Sequence, residues 1–174
     1  GVQTCALPIY APLDLRAAAG PLQLTDARGL RLEGPQVELR WTWEPLPQPQ
    51  LIQRRVLGPF ASYEAAEQAA LAWRRGGVSA DVAHPADWEV WGPPTALPPP
   101  GFQARLEQQR LRQRRLLQGR VVQGGSAGAW QRLAGPVRIQ APQGLRWQGG
   151  VFAGPFRLQA DASDRWTLVE QVPL

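Results

Sequence analysis

At 174 residues the chain is long enough for one domain or two small ones. It holds one Cys and no Met, which excludes an internal disulfide and a cysteine-based metal site. The net charge of +5 rests on 19 basic residues, all of them Arg, and favours anionic surroundings such as nucleic acid, anionic lipid or an acidic wall polymer.

In chain order, residues 1–9, GVQTCALPI, translate the DNA string GGTGTGCAGACGTGTGCTCTTCCGATC, which resembles a sequencing adapter. The stretch is set aside from fold reasoning like a tag, and Cys5 goes with it. The natural reading frame is expected to begin upstream of this chain, together with any targeting segment. No apolar run is long enough to cross a bilayer. Residues 10–50 read as a β-hairpin segment closed by a linker. Val37, Leu39 and Trp41 alternate with Glu38, Arg40 and Thr42 as a half-buried strand. The stretch EPLPQPQ at 44–50 is assigned as the linker, because three proline nitrogens cannot join a strand ladder.

Residues 51–123 read as a β-α-β-β-α-β module. Strand one covers 51–57 and ends in a Gly58-Pro59-Phe60 corner. Ser62 is a good helix N-cap, and Ala66, Ala69, Ala70 and Trp73 share one face of a helix over 63–75 that Gly76-Gly77 stops. Strands follow at 78–83 and 88–91, the latter ending in a second corner, Gly92-Pro93. After the stiff loop GPPTALPPPG at 92–101, residues 102–117 read as an Arg-rich helix and 120–123 as a fourth strand. Residues 124–174 return to hairpin texture. GPLQLTDARGLRLEG at 20–34 aligns without a gap to GPVRIQAPQGLRWQG at 135–149, and a weaker copy, GPFRLQADASDRWTL, begins at Gly154. Similar hairpins on both sides of an unrelated module predict that it is inserted into one β-rich domain.

The element order, the Gly58-Pro59-Phe60 corner, the helix string SYEAAEQAAL at 62–71 and the second corner together resemble a SPOR domain, the sporulation-related-repeat module that binds peptidoglycan. The resemblance spans 51–123 and implies an α+β fold, a ferredoxin-like βαββαβ core flanked by antiparallel β-hairpin segments. Arg54, Arg55 and Val56 depart from the family's alternation of apolar residues and Gln, and the Pro-rich loop and basic second helix are also unusual. The chain end, RWTLVEQVPL, is similar to the strand entering the catalytic region of SpoIID/LytB-type proteins, the amidase-enhancer family. The chain stops at Pro173-Leu174, one step before that family's acid-bearing segment. The resemblance therefore implies a non-catalytic piece of a peptidoglycan lytic transglycosylase, extracytoplasmic in the cell envelope. Its implied partners are peptidoglycan glycan strands and cell-wall amidases, with no nucleic acid, cofactor or metal.

A glycan stripped of its peptides offers hydroxyls, N-acetyl amides, carboxylates and flat apolar sugar faces. An exposed sheet face with an aromatic platform and Arg or amide donors suits it. With strands one and three read as parallel neighbours and their corners aligned, Arg55 falls opposite Glu89 and Leu57 opposite Trp91. An Arg–Glu pair is costly under a helix. Gln53, Arg55, Leu57, Glu89 and Trp91 are therefore expected on the open, glycan-binding face, with Ile52, Val56, Trp88 and Val90 beneath the helices. The family's register argues for the reverse at Leu57 and Trp91, and core is the commoner fate of a strand Trp.

Other chemistry-bearing residues do not assemble in sequence. His84 reads as a loop residue rather than a metal ligand, and strand alternation does not converge Asp81, Asp87 and Glu89 into a glycosidase pair. Ser126 lies in a G-G-S-A-G turn with no base nearby. The rival reading is a nucleic-acid binder that uses a ferredoxin-like sheet and Arg105, Arg110, Arg112, Arg114 and Arg115 of the second helix. Against it, strand one offers no exposed aromatic for base stacking. A third reading is a structural β-scaffold for protein contacts.

Overall fold

The computed structural model describes residues 2–9, 12–147, 149–163 and 165–173. In chain order they form β1 (Val2–Ile9), β2 (Leu13–Ala17), β3 (Leu22–Thr25), β4 (Arg31–Gly34), β5 (Gln36–Phe60), α1 (Tyr63–Arg75), β6 (Asp81–Ala83) and β7 (Trp88–Gly92). Then follow β8 (Arg105–Gln123), β9 (Ser126–Ala127), β10 (Gln131–Leu133), β11 (Val137–Gln140), β12 (Leu145–Trp147), β13 (Gly150–Phe152), β14 (Phe156–Ala160) and β15 (Trp166–Pro173). The chain divides into two units: Gly1–Trp43, Arg115–Ala160 and Trp166–Leu174 make the first, Glu44–Arg114 and Asp161–Arg165 the second. The long strands β5 and β8 each contribute to both.

Period-2 alternation builds the first unit. Leu13 and Leu15 of β2 point inward while Asp14 and Arg16 face water, and Leu22, Leu24, Leu32, Val37 and Leu39 repeat the pattern. One antiparallel sheet runs β1-β15-β14-β11-β3-β4, and a second path runs β10-β8-β5-β2-β12-β13. The three sequence copies place Leu22, Val137 and Phe156 at one buried position and Leu24, Ile139 and Leu158 at another, on the neighbouring strands β3, β11 and β14. The first two copies also share a turn. Gly29 donates to the Asp26 carbonyl at 3.1 Å and Gly144 to that of Ala141 at 2.9 Å. Both glycines sit at positive φ, which a side chain would strain. The copies diverge after the turn: β4 folds back on β3, whereas β12 crosses to pair with β2 in the other sheet.

In the second unit the strand order is β8-β5-β7-β6, with β7 antiparallel to both neighbours. Ser62 caps α1 by accepting from the Ala65 N–H at 3.1 Å, and Glu64 and Arg74–Arg75 complement its dipole. Ala66, Ala69, Ala70 and Trp73 pack onto Leu57, Trp88 and Val90. Small alanines let the helix approach closely. Gly92 lies so near Trp73 that a Cβ there would stand 2.8 Å from its ring.

Three expectations from sequence are corrected. The α+β ferredoxin-like βαββαβ fold is absent: the chain is mostly β, with α1 the one helix among the described residues. Residues 102–117 do not form a second helix; 105–123 run as the single strand β8, and the strand foreseen at 120–123 is its end. A helical stripe through Phe102, Leu106 and Leu117 is interrupted by Gln109 and Gln113, and pairing along β5 supplies the backbone bonds instead. The linker at 44–50 is part of β5. Pro45, Pro47 and Pro49 alternate, so all three missing donors fall on one edge and the intervening N–H groups remain for β8. Residues 2–9, within the stretch read as adapter-like, pair from Val2 to Ile9 along β15, with Ile9 in the core, which leaves the origin of the peptide open. Ladder bonds are made by backbone and accept almost any sequence.

Candidate functional site

The register of β5 against β7 fixes the faces of the second-unit sheet. Val56 pairs with Trp91, Leu57 with Val90 and Arg55 with Gly92. The sequence reading, which took these strands as parallel, put Leu57 rather than Val56 opposite Trp91, and a one-residue slip exchanges side chains between faces. Gly58-Pro59 forms an irregularity within β5, where the ladder skips from Leu57 to Phe60, rather than a corner.

Each foreseen glycan-binding residue can now be placed. Leu57 is fully buried beneath α1. Arg55 shares that side, and its Nε donates to the Pro94 carbonyl at 2.9 Å. Gln53 is exposed. Glu89 and Trp91 do lie on the face away from α1, while Val56, placed under the helices, lies there too. Trp88 and Val90 are under α1 as foreseen. Only Glu89 and Trp91 of the five are brought together.

That opposite face is not bare. Val56 and Ala83 are fully buried, and Arg54 and Glu89 are 5% and 8% exposed. A polar network occupies it. The Arg54 guanidinium stacks over Trp91 at 3.6 Å and donates to Gln109. Trp91 Nε1 donates to Glu89 Oε1 at 2.9 Å, and Arg105 Nη2 donates to Glu89 Oε2 at 2.6 Å. Arg105 also donates to Glu107 at 2.9 Å and to the Gly58 carbonyl at 3.0 Å. Burial pulls the Arg54 guanidinium below its usual range, against the opposing pull of Glu107 and Glu89. At Arg105 burial acts the same way, but the hydrogen bonds to Glu107 and Glu89 outweigh it and hold its pKa above the usual value. Glu89 thus accepts one donor on each of its two oxygens.

A second grouping, invisible in sequence, joins the 161–165 loop to β6. Ala162 donates to the Val82 carbonyl at 3.1 Å, and the His84 backbone N–H donates to Ser163 Oγ at 3.2 Å. Ser163 Oγ donates in turn to Asp161. The His84 ring is buried edge-on against Trp88, with centroids 4.1 Å apart. The Ser163 hydroxyl thus gives its hydrogen to the Asp161 carboxylate and accepts from the His84 backbone. Among the described residues no three His, Cys, Asp or Glu side chains cluster to hold a metal, and no helix is long and apolar enough to cross a membrane.

A run of exposed side chains in the second unit lies on β5 over 45–53 and β8 over 108–114. Pro45, Pro47, Gln48, Pro49, Gln50, Leu51 and Gln53 are exposed on β5, as are Gln108, Gln109, Arg110, Arg112, Gln113 and Arg114 on β8. Arg110, Arg112 and Arg114 alternate and thus share a side of the strand, roughly 7 Å apart. None of the ion pairs among the described residues involves them, and the nearby Glu107 is already held by Arg105. The sequence showed the basic cluster, but the helical reading scattered these side chains around a cylinder. No family model matches the chain, and neither does any curated protein or solved structure.

Proposed function

We propose that this protein is a non-catalytic binding module for the glycan strands of peptidoglycan, acting in the cell envelope outside the cytoplasm to localise a wall-cleaving domain. The carrying observation is the row Arg110, Arg112 and Arg114 on β8, exposed and without acidic partners among the described residues. Guanidinium groups suit the carboxylates of a glycan freed of its peptides. Gln108, exposed on the same side of β8 as the three arginines, adds an amide donor and acceptor for hydroxyls and N-acetyl groups. The surface differs from the one foreseen, since it is the arginine- and glutamine-bearing side of β8 rather than a bare sheet face around Trp91.

Nucleic acid is the less favoured ligand. Its sheet-face readers stack bases on exposed aromatics, and in the second unit Trp73 and Trp88 are buried while Trp91 lies under Arg54. The deciding test is retention on intact and amidase-treated sacculi, with single-stranded DNA as competitor. Retention on the treated wall should fall about tenfold or more in R110A/R112A/R114A and weaken as salt rises. Equal retention on both walls, none on either, or displacement by trace DNA rejects the reading.

A further inference from the structure

Among the described residues, Trp43 is the one aromatic in the set of exposed large hydrophobic side chains, with 53% of its surface open. It belongs to the first unit, two residues along β5 from Trp41, so both indoles project to the same side of the strand. Trp41 is anchored against the first-unit core. Arg115 of β8 places its guanidinium 4.8 Å from the Trp43 centroid and 5.7 Å from that of Trp41. A guanidinium above an indole orients the ring and covers part of one side. The strand thus presents a positioned, flat, apolar plate beside a cation.

We propose that Trp43, with Trp41 and Arg115 as positioning residues, is a stacking subsite for one pyranose ring of an N-acetylated glycan. This rests on the glycan reading above but on separate residues and separate physics. The C–H face of a sugar ring covers an indole by apolar contact, which salt does not screen. A single exposed plate suits one ring, whereas single-stranded nucleic acid is gripped by successive aromatic platforms.

The test is a titration of the full chain with a neutral N-acetylglucosamine pentamer, followed by tryptophan fluorescence and by calorimetry. Wild type should bind saturably and equally well at low and high salt. W43A should bind at least about tenfold more weakly, equivalent to about 1.4 kcal/mol, with an unchanged melting temperature, and W43F should recover part of the loss. R110A/R112A/R114A should bind the pentamer like wild type. No saturable binding by wild type, undiminished binding by W43A, or tighter binding of a single-stranded oligonucleotide at Trp43 overturns the subsite. Retention on the treated wall that depends on the three arginines and ignores W43A would reject the subsite while leaving the glycan reading standing. Pentamer binding lost in W43A, with retention insensitive to the three arginines, would reject the arginine row as the wall-binding surface while leaving the subsite standing.

Discussion

Val56 stands directly across from Trp91 in the antiparallel β5–β7 ladder, and the two share the side turned away from α1. Leu57 is thereby committed to the helix-side core, where Ala66, Ala70 and Trp73 close over it. Leu57→Ala should cost about 2–5 kcal/mol by denaturant unfolding, since it deletes a fully buried side chain. Arg55→Ala should cost only about 1 kcal/mol, the worth of its hydrogen bond to Pro94. Comparable losses at the two positions would contradict the register.

Gly92 has no room for a side chain. A methyl group there would meet the Trp73 ring at 2.8 Å. That ring is 1% exposed and is held by its Nε1 bond to the Leu97 carbonyl at 2.8 Å. Gly92→Ala should therefore destabilise by about 1–3 kcal/mol through overpacking. A lower melting temperature with an altered near-ultraviolet circular dichroism spectrum would register it, and a neutral substitution would mean that α1 does not rest on β7 there.

The parts of this fold written locally could be read from the sequence. Ser62, the alanines of 66–70 and Gly76 specify α1 through capping and a narrow face, and neither depends on distant residues. The buried alternation of Leu22 and Leu24, with its copies, specified strands in the same way. What failed depends on partners. Whether RLEQQRLRQRR becomes helix or strand is decided by β5 alongside it, because a helix former with no apolar stripe to bury gains more from a long ladder. The prolines at 45, 47 and 49 looked like a break because their shared edge cannot be seen without a neighbour. Pairing direction, which reassigned Leu57 and Arg55, is likewise a property of two strands. For the candidate site, Arg110, Arg112 and Arg114 were noticed, yet their common side on β8 emerged only with the strand.

Asp26 organises the β3–β4 turn. Its side chain is fully buried, with Oδ1 accepting from the Arg28 and Leu30 N–H groups at 2.9 and 2.8 Å and Oδ2 from Ala134 N–H at 2.9 Å. Burial pushes its pKa up, but these three donors and the Arg28 charge together outweigh that and hold it below the ordinary 3.8. The ionised form is the one the fold favours, so its contribution is complete above pH 3.8 and is lost as pH falls through the lowered folded value. Asp26→Asn should cost about 1–3 kcal/mol at neutral pH, because a charged acceptor of three backbone donors is replaced by a neutral amide. The deficit relative to wild type should shrink on acidification, as read from unfolding free energies across the acid range; a pH-independent deficit would deny the carboxylate this role.

Asp161 sits in a similar turn before β15, yet its pH dependence should have the opposite sign. Its Oδ1 accepts from Ser163 N–H at 2.8 Å and Arg165 N–H at 3.2 Å, but Oδ2 is buried with no hydrogen-bond partner among the described residues. Burial dominates and raises its pKa above 3.8, against the lowering influence of the Ser163 hydroxyl, the two backbone donors and His84. The protonated form is now favoured by folding, so this stabilisation is complete below pH 3.8 and is lost as pH rises through the raised folded value. Asp161→Asn, which stays neutral throughout, should gain on wild type as pH rises across that window, the reverse of the trend at Asp26. If both substitutions tracked pH in the same direction, the donor to the second oxygen, Ala134 N–H to Asp26 Oδ2, could not be what separates the two turns.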